Sequence, residues 1–266
     1  MTAPEPRTPL PARRRADLLR FIRDRGQATV AELAETFGVS PDTVRRDLEQ
    51  LATEGVVTRT HGGAVPQDLA ALDTPLLTRR EEQSGEKERI AEAAAACVSD
   101  GQTVIVNGGT TTLATAAKLT GRTDLTIVTN NLLLPQALPD GVVRDVYVVG
   151  GAVRMRSLVT TGRLRLGDGE GVGSHGVSGD LAIVGARAIA RDGTLGTSDL
   201  REAQITLEMI HAARRVVVLA DSSKFERNAF AHICGPAEFD VFITDAPLPA
   251  ETAAAFEAAD VEVVVV

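Results

Sequence analysis

Seven short apolar runs after residue 86 limit the folds open to this chain. They are 103–106 (Thr-Val-Ile-Val), 125–128 (Leu-Thr-Ile-Val), 146–149 (Val-Tyr-Val-Val), 181–184 (Leu-Ala-Ile-Val), 216–219 (Val-Val-Val-Leu), 241–243 (Val-Phe-Ile) and 261–266 (Val-Glu-Val-Val-Val-Val). Runs that are apolar at consecutive rather than alternate positions suit strands covered on both faces. Helical patterns intervene at about 87–98, 113–119, 132–138, 200–213 and 250–258. Strand and helix in alternation predict an α/β domain over 86–266 with a mostly parallel sheet.

Sheets of this kind bind ligands in the loops that leave the carboxyl ends of their strands. Those loops contain Asn107, Gly108, Gly109, Thr110 and Thr111; Thr129 and Asn130; Gly150 and Gly151; Gly185-Ala186-Arg187; and Asp221-Ser222-Ser223-Lys224. Glycine pairs let a backbone approach a ligand closely, and threonines at a helix start sit beside amides that favour an anion. Lys224 adds a cation. The set suits phosphate and hydroxyl groups better than an apolar ligand. The same residues are also ordinary turn and cap chemistry, and that reading stays open here.

Ahead of this domain, residues 12–65 have a different rhythm. A helix is expected from about 12 to 25, with Leu18, Leu19, Phe21 and Ile22 on its core side and Gly26 as its stop. Thr29 with Glu32 three residues later has capping-box spacing, and Val30, Leu33, Ala34 and Phe37 follow as a stripe. Gly38-Val39 turns into Ser40-Pro-Asp-Thr-Val-Arg-Arg-Asp-Leu-Glu-Gln-Leu51. Ser40 suits an N-cap and Pro41 the first helical position. Val44, Leu48 and Leu51 make one narrow apolar stripe, which leaves Thr43, Arg45 and Arg46 on other faces. Asp47 reads as a carboxylate that holds an arginine in place. Gly55 closes the third helix. Residues 56–59 then suggest a strand, and 60–65 a turn back as a wing. Helix, glycine turn and capped helix form a helix-turn-helix pattern suited to a DNA major groove. A three-helix protein-interaction module has the same pattern.

Charge follows this division. The chain of 266 residues carries a net charge of −8, but its first 65 residues hold ten Arg against nine acids. The remainder therefore carries −9, so a nearly neutral front is joined to an acidic body. Such a balance excludes a protein that coats nucleic acid indiscriminately and allows local phosphate contact. Two cysteines, Cys97 and Cys234, give neither a disulfide framework nor a metal site. Residues 1–11, with four prolines, are expected as a disordered tail without a signal peptide, and 66–85 as a linker with one short helix. No apolar run approaches the roughly 18–20 residues that cross a bilayer, so a cytoplasmic protein is expected.

The segment Val44-Arg-Arg-Asp-Leu-Glu-Gln-Leu-Ala-Thr-Glu-Gly-Val-Val-Thr-Arg-Thr-His-Gly-Gly-Ala64 resembles the winged helix-turn-helix signature of the DeoR family of bacterial transcriptional regulators. The resemblance implies that Ser40, Thr43, Arg45 and Arg46 enter or flank a major groove. It puts Arg59 and His61 in a wing near phosphate, although His61 reads equally as an exposed turn residue. The later half also resembles that family, in Asp100-Gly101, Gly109-Thr-Thr-Thr112, Thr129-Asn130, Gly150-Gly151 and Leu219-Ala-Asp-Ser-Ser-Lys-Phe225. The resemblance implies a fold similar to ribose-5-phosphate isomerase, a phosphorylated sugar or related metabolite as effector, and a homodimer or homotetramer on a double-stranded operator. Asn107 stands where the family commonly has Asp, Thr206 where it commonly has Lys, and 163–179 is unusually rich in glycine.

The function expected is a DNA-binding transcriptional regulator, a repressor in its commoner form, with no cofactor, metal or catalytic residue. The rival is a sugar-phosphate isomerase with an added domain. Acid–base isomerisation needs a positioned carboxylate or histidine; Asn107 removes one, while Asp221 remains available.

Overall fold

A computed structural model gives the fold over residues 11–25, 27–53, 56–60, 62–66, 76–166, 175–227 and 229–266. The expectations for the tail, for Gly26 and Gly55 as helix stops, for His61, for linker residues 67–75 and for 167–174 of the glycine-rich stretch lie outside the described residues. Two compact units meet in the chain between Leu72 and Asp73.

The first unit contains α1 (Pro11–Arg25), α2 (Val30–Phe37) and α3 (Pro41–Thr53). α1 starts at Pro11, inside the stretch expected as tail. Thr29 Oγ1 accepts the Glu32 amide at 3.2 Å while Glu32 Oε2 accepts the Thr29 amide at 2.8 Å, the reciprocal bonds of a capping box. Gly38 ends α2 in the left-handed region, at φ 61°. Leu18, Ile22, Leu33, Val44 and Leu48 are fully buried, so the narrow stripe of α3 packs into a core shared with α1 and α2. β2 (Val57–Thr60) and β3 (Gly63–Pro66) form the antiparallel wing. A third strand, β1 (Ala28–Thr29), pairs with β3 and has no counterpart in the sequence reading. Gly63 makes this possible, because a Cβ there would stand 2.1 Å from the Ala28 carbonyl oxygen.

The second unit is built on a seven-stranded parallel sheet. Its strands are β4 (Thr103–Val106), β5 (Leu125–Thr129), β6 (Val143–Val148), β7 (Gly179–Gly185), β8 (Ala213–Leu219), β9 (Val241–Thr244) and β10 (Glu262–Val265). They lie in the order β10-β9-β8-β7-β4-β5-β6. Helices α4 (Leu76–Glu81), α5 (Ser84–Ala96), α6 (Thr110–Ala117), α7 (Leu134–Ala137), α8 (Leu200–His211) and α9 (Ala250–Ala258) accompany it.

Along β4, Val104 and Val106 join a core with Ile90, Leu113 and Leu119, whereas Ile105 joins the opposite core with Ile205, Met209 and Phe242. Both faces are covered, which explains why the runs are apolar without alternation. Phe242 and Phe256 meet at 5.0 Å in an edge-on arrangement within the second core. β6 and β10 depart from the expectation of two covered faces: they are the edge strands, and Tyr147, Val148, Val263 and Val265 are exposed. The pattern over 132–138 contracts to the single turn Leu134–Ala137, because Leu138 adopts an extended backbone.

Candidate functional site

The first unit presents α3. Ser40 Oγ accepts the Thr43 amide at 3.2 Å and lies 2.9 Å from Thr43 Oγ1, closing the first turn. Val44, Asp47, Leu48 and Leu51 are buried, and the opposite side exposes Arg45, Arg46, Glu49 and Gln50. Arg45 Nη1 lies 2.7 Å from Asp42 Oδ1, with both side chains more than half exposed. Water screens such a pair, so a phosphate can replace the carboxylate at small cost. Arg59 is exposed on β2.

Asp47 does hold an arginine, and the arginine is Arg14 of α1. Arg14 Nε lies 2.6 Å and Nη2 3.2 Å from its two carboxylate oxygens. The pair is buried, and the hydrogen bond to Asp47 raises the Arg14 pKa further. Removal of Asp47 would take this carboxylate from a buried guanidinium, so the fork ties α3 to α1.

In the second unit the strand order reverses between β4 and β7, parallel neighbours from which the chain winds outward to opposite edges of the sheet. This is where open α/β sheets form a crevice. Asn107 spans it: Nδ2 donates to the Gly185 carbonyl at 3.0 Å and Oδ1 accepts the Gly185 amide at 2.8 Å. Only an amide can do both, since a carboxylate has no proton to donate. Gly108 N donates to Asn130 Oδ1 at 2.8 Å, and Asn130 Nδ2 donates to the Thr160 carbonyl at 3.0 Å. Thr129 Oγ1 donates to the Val106 carbonyl at 2.7 Å. A Cβ on Gly108 would stand 2.0 Å from Val159 Cγ1, so its missing side chain admits Val159. Thr111 is buried, and Gly109 and Thr110 begin α6.

Asn107, Gly108 and Asn130 line one small cavity with Arg187, Glu202 and Thr206. Its free space is about 20 Å³, room for roughly one water. Glu202 dominates its wall. Arg154 Nε lies 3.3 Å from one carboxylate oxygen and Arg187 Nε 3.7 Å from the other, while Ser157 Oγ and Thr197 Oγ1 donate at 2.6 and 3.1 Å. Arg154 also reaches Asp199 Oδ2 at 2.7 Å.

The remaining predicted residues lie elsewhere on the same edge. Gly150 and Gly151 follow β6, where a Cβ on Gly151 (φ +114°) would meet Gly162 N at 2.4 Å. A Cβ on Gly162 would in turn stand 2.1 Å from the Gly150 carbonyl oxygen, so Gly151 and Gly162 together let two backbones cross. Asp221 and Lys224 follow β8, and the ammonium lies 3.6 Å from Asp221 Oδ2. Burial lowers the Lys224 pKa, and Asp221 opposes that shift.

Sequence reasoning missed Arg154, Glu202 and Lys87. Glu202 sits in an ordinary helical pattern and Lys87 at the head of an alanine-rich one. Arg187 lay in a loop already singled out, but only its glycine and alanine matched the small-residue pattern.

Comparisons with known proteins agree with this architecture. Residues 14–69 match the model of the DeoR-like helix-turn-helix domain and residues 82–246 that of the DeoR C terminal sensor domain. The chain belongs to the DeoR family of transcriptional regulators. It is 34% identical over 238 residues to the glycerol-3-phosphate regulon repressor of Escherichia coli, covering 87% of this chain and 90% of the relative. It is 31% identical over 255 residues to the HTH-type transcriptional regulator GlpR of Haloferax volcanii, covering 96% and 98% of the two. A solved ribose 5-phosphate isomerase from Methanocaldococcus jannaschii aligns over 54% of this chain and 55% of its own, with 15% identity and a TM-score of 0.37. As a DeoR regulator the chain has DNA as its partner, and the isomerase alternative is set aside. Asn107 is committed to Gly185, and Thr206, where a lysine is common, is buried beside Arg187 and Glu202. Among the described residues no helix is long and apolar enough to cross a membrane.

Proposed function

We propose that this DeoR regulator is a repressor that binds a double-stranded operator as a homodimer or homotetramer in the cytoplasm. A phosphorylated sugar or related metabolite at the carboxyl edge of the sensor sheet releases it. The observation that carries the DNA side is α3, whose stripe is buried while Arg45 and Arg46 stay exposed beside Ser40 and Thr43. An Arg fork can grip guanine O6 and N7 or a phosphate. The names of relatives support repression, among them the HTH-type transcriptional repressor GlcR of Bacillus subtilis. The glycerol-3-phosphate regulon repressor supports a phosphorylated effector.

The effector side rests on cations now held by carboxylates, Arg154 and Arg187 by Glu202 and Asp199, and Lys224 by Asp221, which a phosphate would take over. Because the cavity holds about one water, a sugar phosphate enters only by displacing side chains. Effector control then follows from differential affinity for the two states. Thermal shift with a panel of sugar phosphates tests it. At least one compound should raise Tm and weaken operator binding, and a panel without any shift would overturn the effector reading.

A further inference from the structure

Helix α4 is the first described element after residues 67–75, which follow the wing strand β3 in the chain. Six residues cannot sustain a helix in water alone, so something else must hold it. At its first residue, Leu76 is buried and its amide donates to the Arg156 carbonyl at 2.9 Å. Arg156 lies between Arg154 and Ser157, the two residues of that loop that bind Glu202. At its far end, the Lys87 ammonium donates to the carbonyls of Arg79, at 2.6 Å, and Glu82. Lys87 is itself buried, an expensive place for an ammonium whose hydrogen-bond acceptors here are backbone carbonyls. Burial lowers its pKa, and the charge of Asp221 works against that.

We propose that α4 is a clasp through which the carboxyl edge of the sensor sheet controls the DNA-binding unit, with Lys87 as its positioning residue. One end of the clasp is tied to the Arg154–Ser157 loop and the other to the Lys87 ammonium, whose charge Asp221 favours. A ligand that rearranges either group loosens α4. Nine residues separate Pro66 from Leu76 in sequence, and release of 76–83 adds about eight to the stretch that joins the two units. In an oligomer with two DNA-binding units on one operator, effective concentration falls roughly as the −3/2 power of tether length, or about threefold. This step rests on the operator-binding oligomer proposed above.

The test uses the full chain and three variants: Lys87→Met, Leu76→Ala and Asp221→Asn. Amide hydrogen exchange over 76–83 should quicken at least about tenfold in each, as expected for loss of a local closing equilibrium. Exchange in strands 103–106 and 216–219 should not change, which controls for misfolding. Affinity for an operator selected with the wild-type chain should fall about threefold in Lys87→Met and return with Lys87→Arg. Unchanged exchange over 76–83 in Lys87→Met would overturn the clasp. Unchanged exchange in Asp221→Asn alone would overturn its connection to the carboxyl edge. Faster exchange with undiminished operator affinity would overturn its control of DNA binding. If the wild-type chain selected no DNA, the function proposed above would fail, and control of DNA binding with it, while the exchange data would still judge the clasp.

Discussion

The two units use polar residues in opposite ways. On α3 the residues singled out by sequence pattern face solvent, and the polar side chain that faces inward, Asp47, is spent on Arg14. At the carboxyl edge of the sensor sheet, Asn107, Thr129 and Asn130 bond to backbone across the sheet's own loops. A DNA-reading surface needs donors held by no more than a screened pair such as Arg45 with Asp42, because binding is limited by what must be broken first. A sensor that changes state can hold its polar groups in internal bonds and exchange them for ligand.

Four experiments sharpen or break that contrast. The largest effect is expected for Asp47→Ala, which leaves Arg14 buried without its carboxylate. The first unit should lose about 3–5 kcal/mol in urea denaturation while the second unit's transition stays in place. A loss below about 1 kcal/mol would mean that the fork does not fix α3. Next is Arg45→Ala with Arg46→Ala, expected to weaken operator binding about 100-fold or more in a gel shift without changing stability. The slope of log affinity against log salt should shrink by about one for each arginine on a phosphate. Unaltered affinity would mean that the exposed face of α3 does not read DNA.

Asn107→Asp restores the carboxylate common in the family but removes the proton given to the Gly185 carbonyl. The cost should be about 1–3 kcal/mol of stability, and a variant as stable as the wild type would show the crevice to be more adaptable than drawn here. The smallest effect concerns Cys234, where burial pushes the thiol up to about 12. The folded state keeps its proton where an unfolded thiol, near pH 8.5, has lost it. This contribution is therefore complete below about 8.5 and is lost as pH rises toward 12. Cys234→Ala should flatten that part of the stability curve, and an identical alkaline slope would remove Cys234 from the account.

Sequence alone determined the elements whose cause is local. Ser40-Pro41, the Thr29–Glu32 pair and the i, i+4, i+7 stripe of α3 act within one or two helical turns, so their geometry could be read from spacing. The strand runs were legible because a strand covered on both faces has no polar side to interrupt it. The tertiary structure decided everything that depends on partners distant in sequence. Nothing near Asp47 names Arg14, thirty-three residues away, and nothing near Asn107 names Gly185, seventy-eight residues away. Nothing near Gly151 names Gly162, whose backbone its missing side chain admits. Glu202, with Arg154 and Arg187 converging on it from separate loops, has no local signature, because a buried charge cluster is a property of the packed sheet edge. Residue type states what a side chain can bond, and only the fold states which of those bonds the protein has already used.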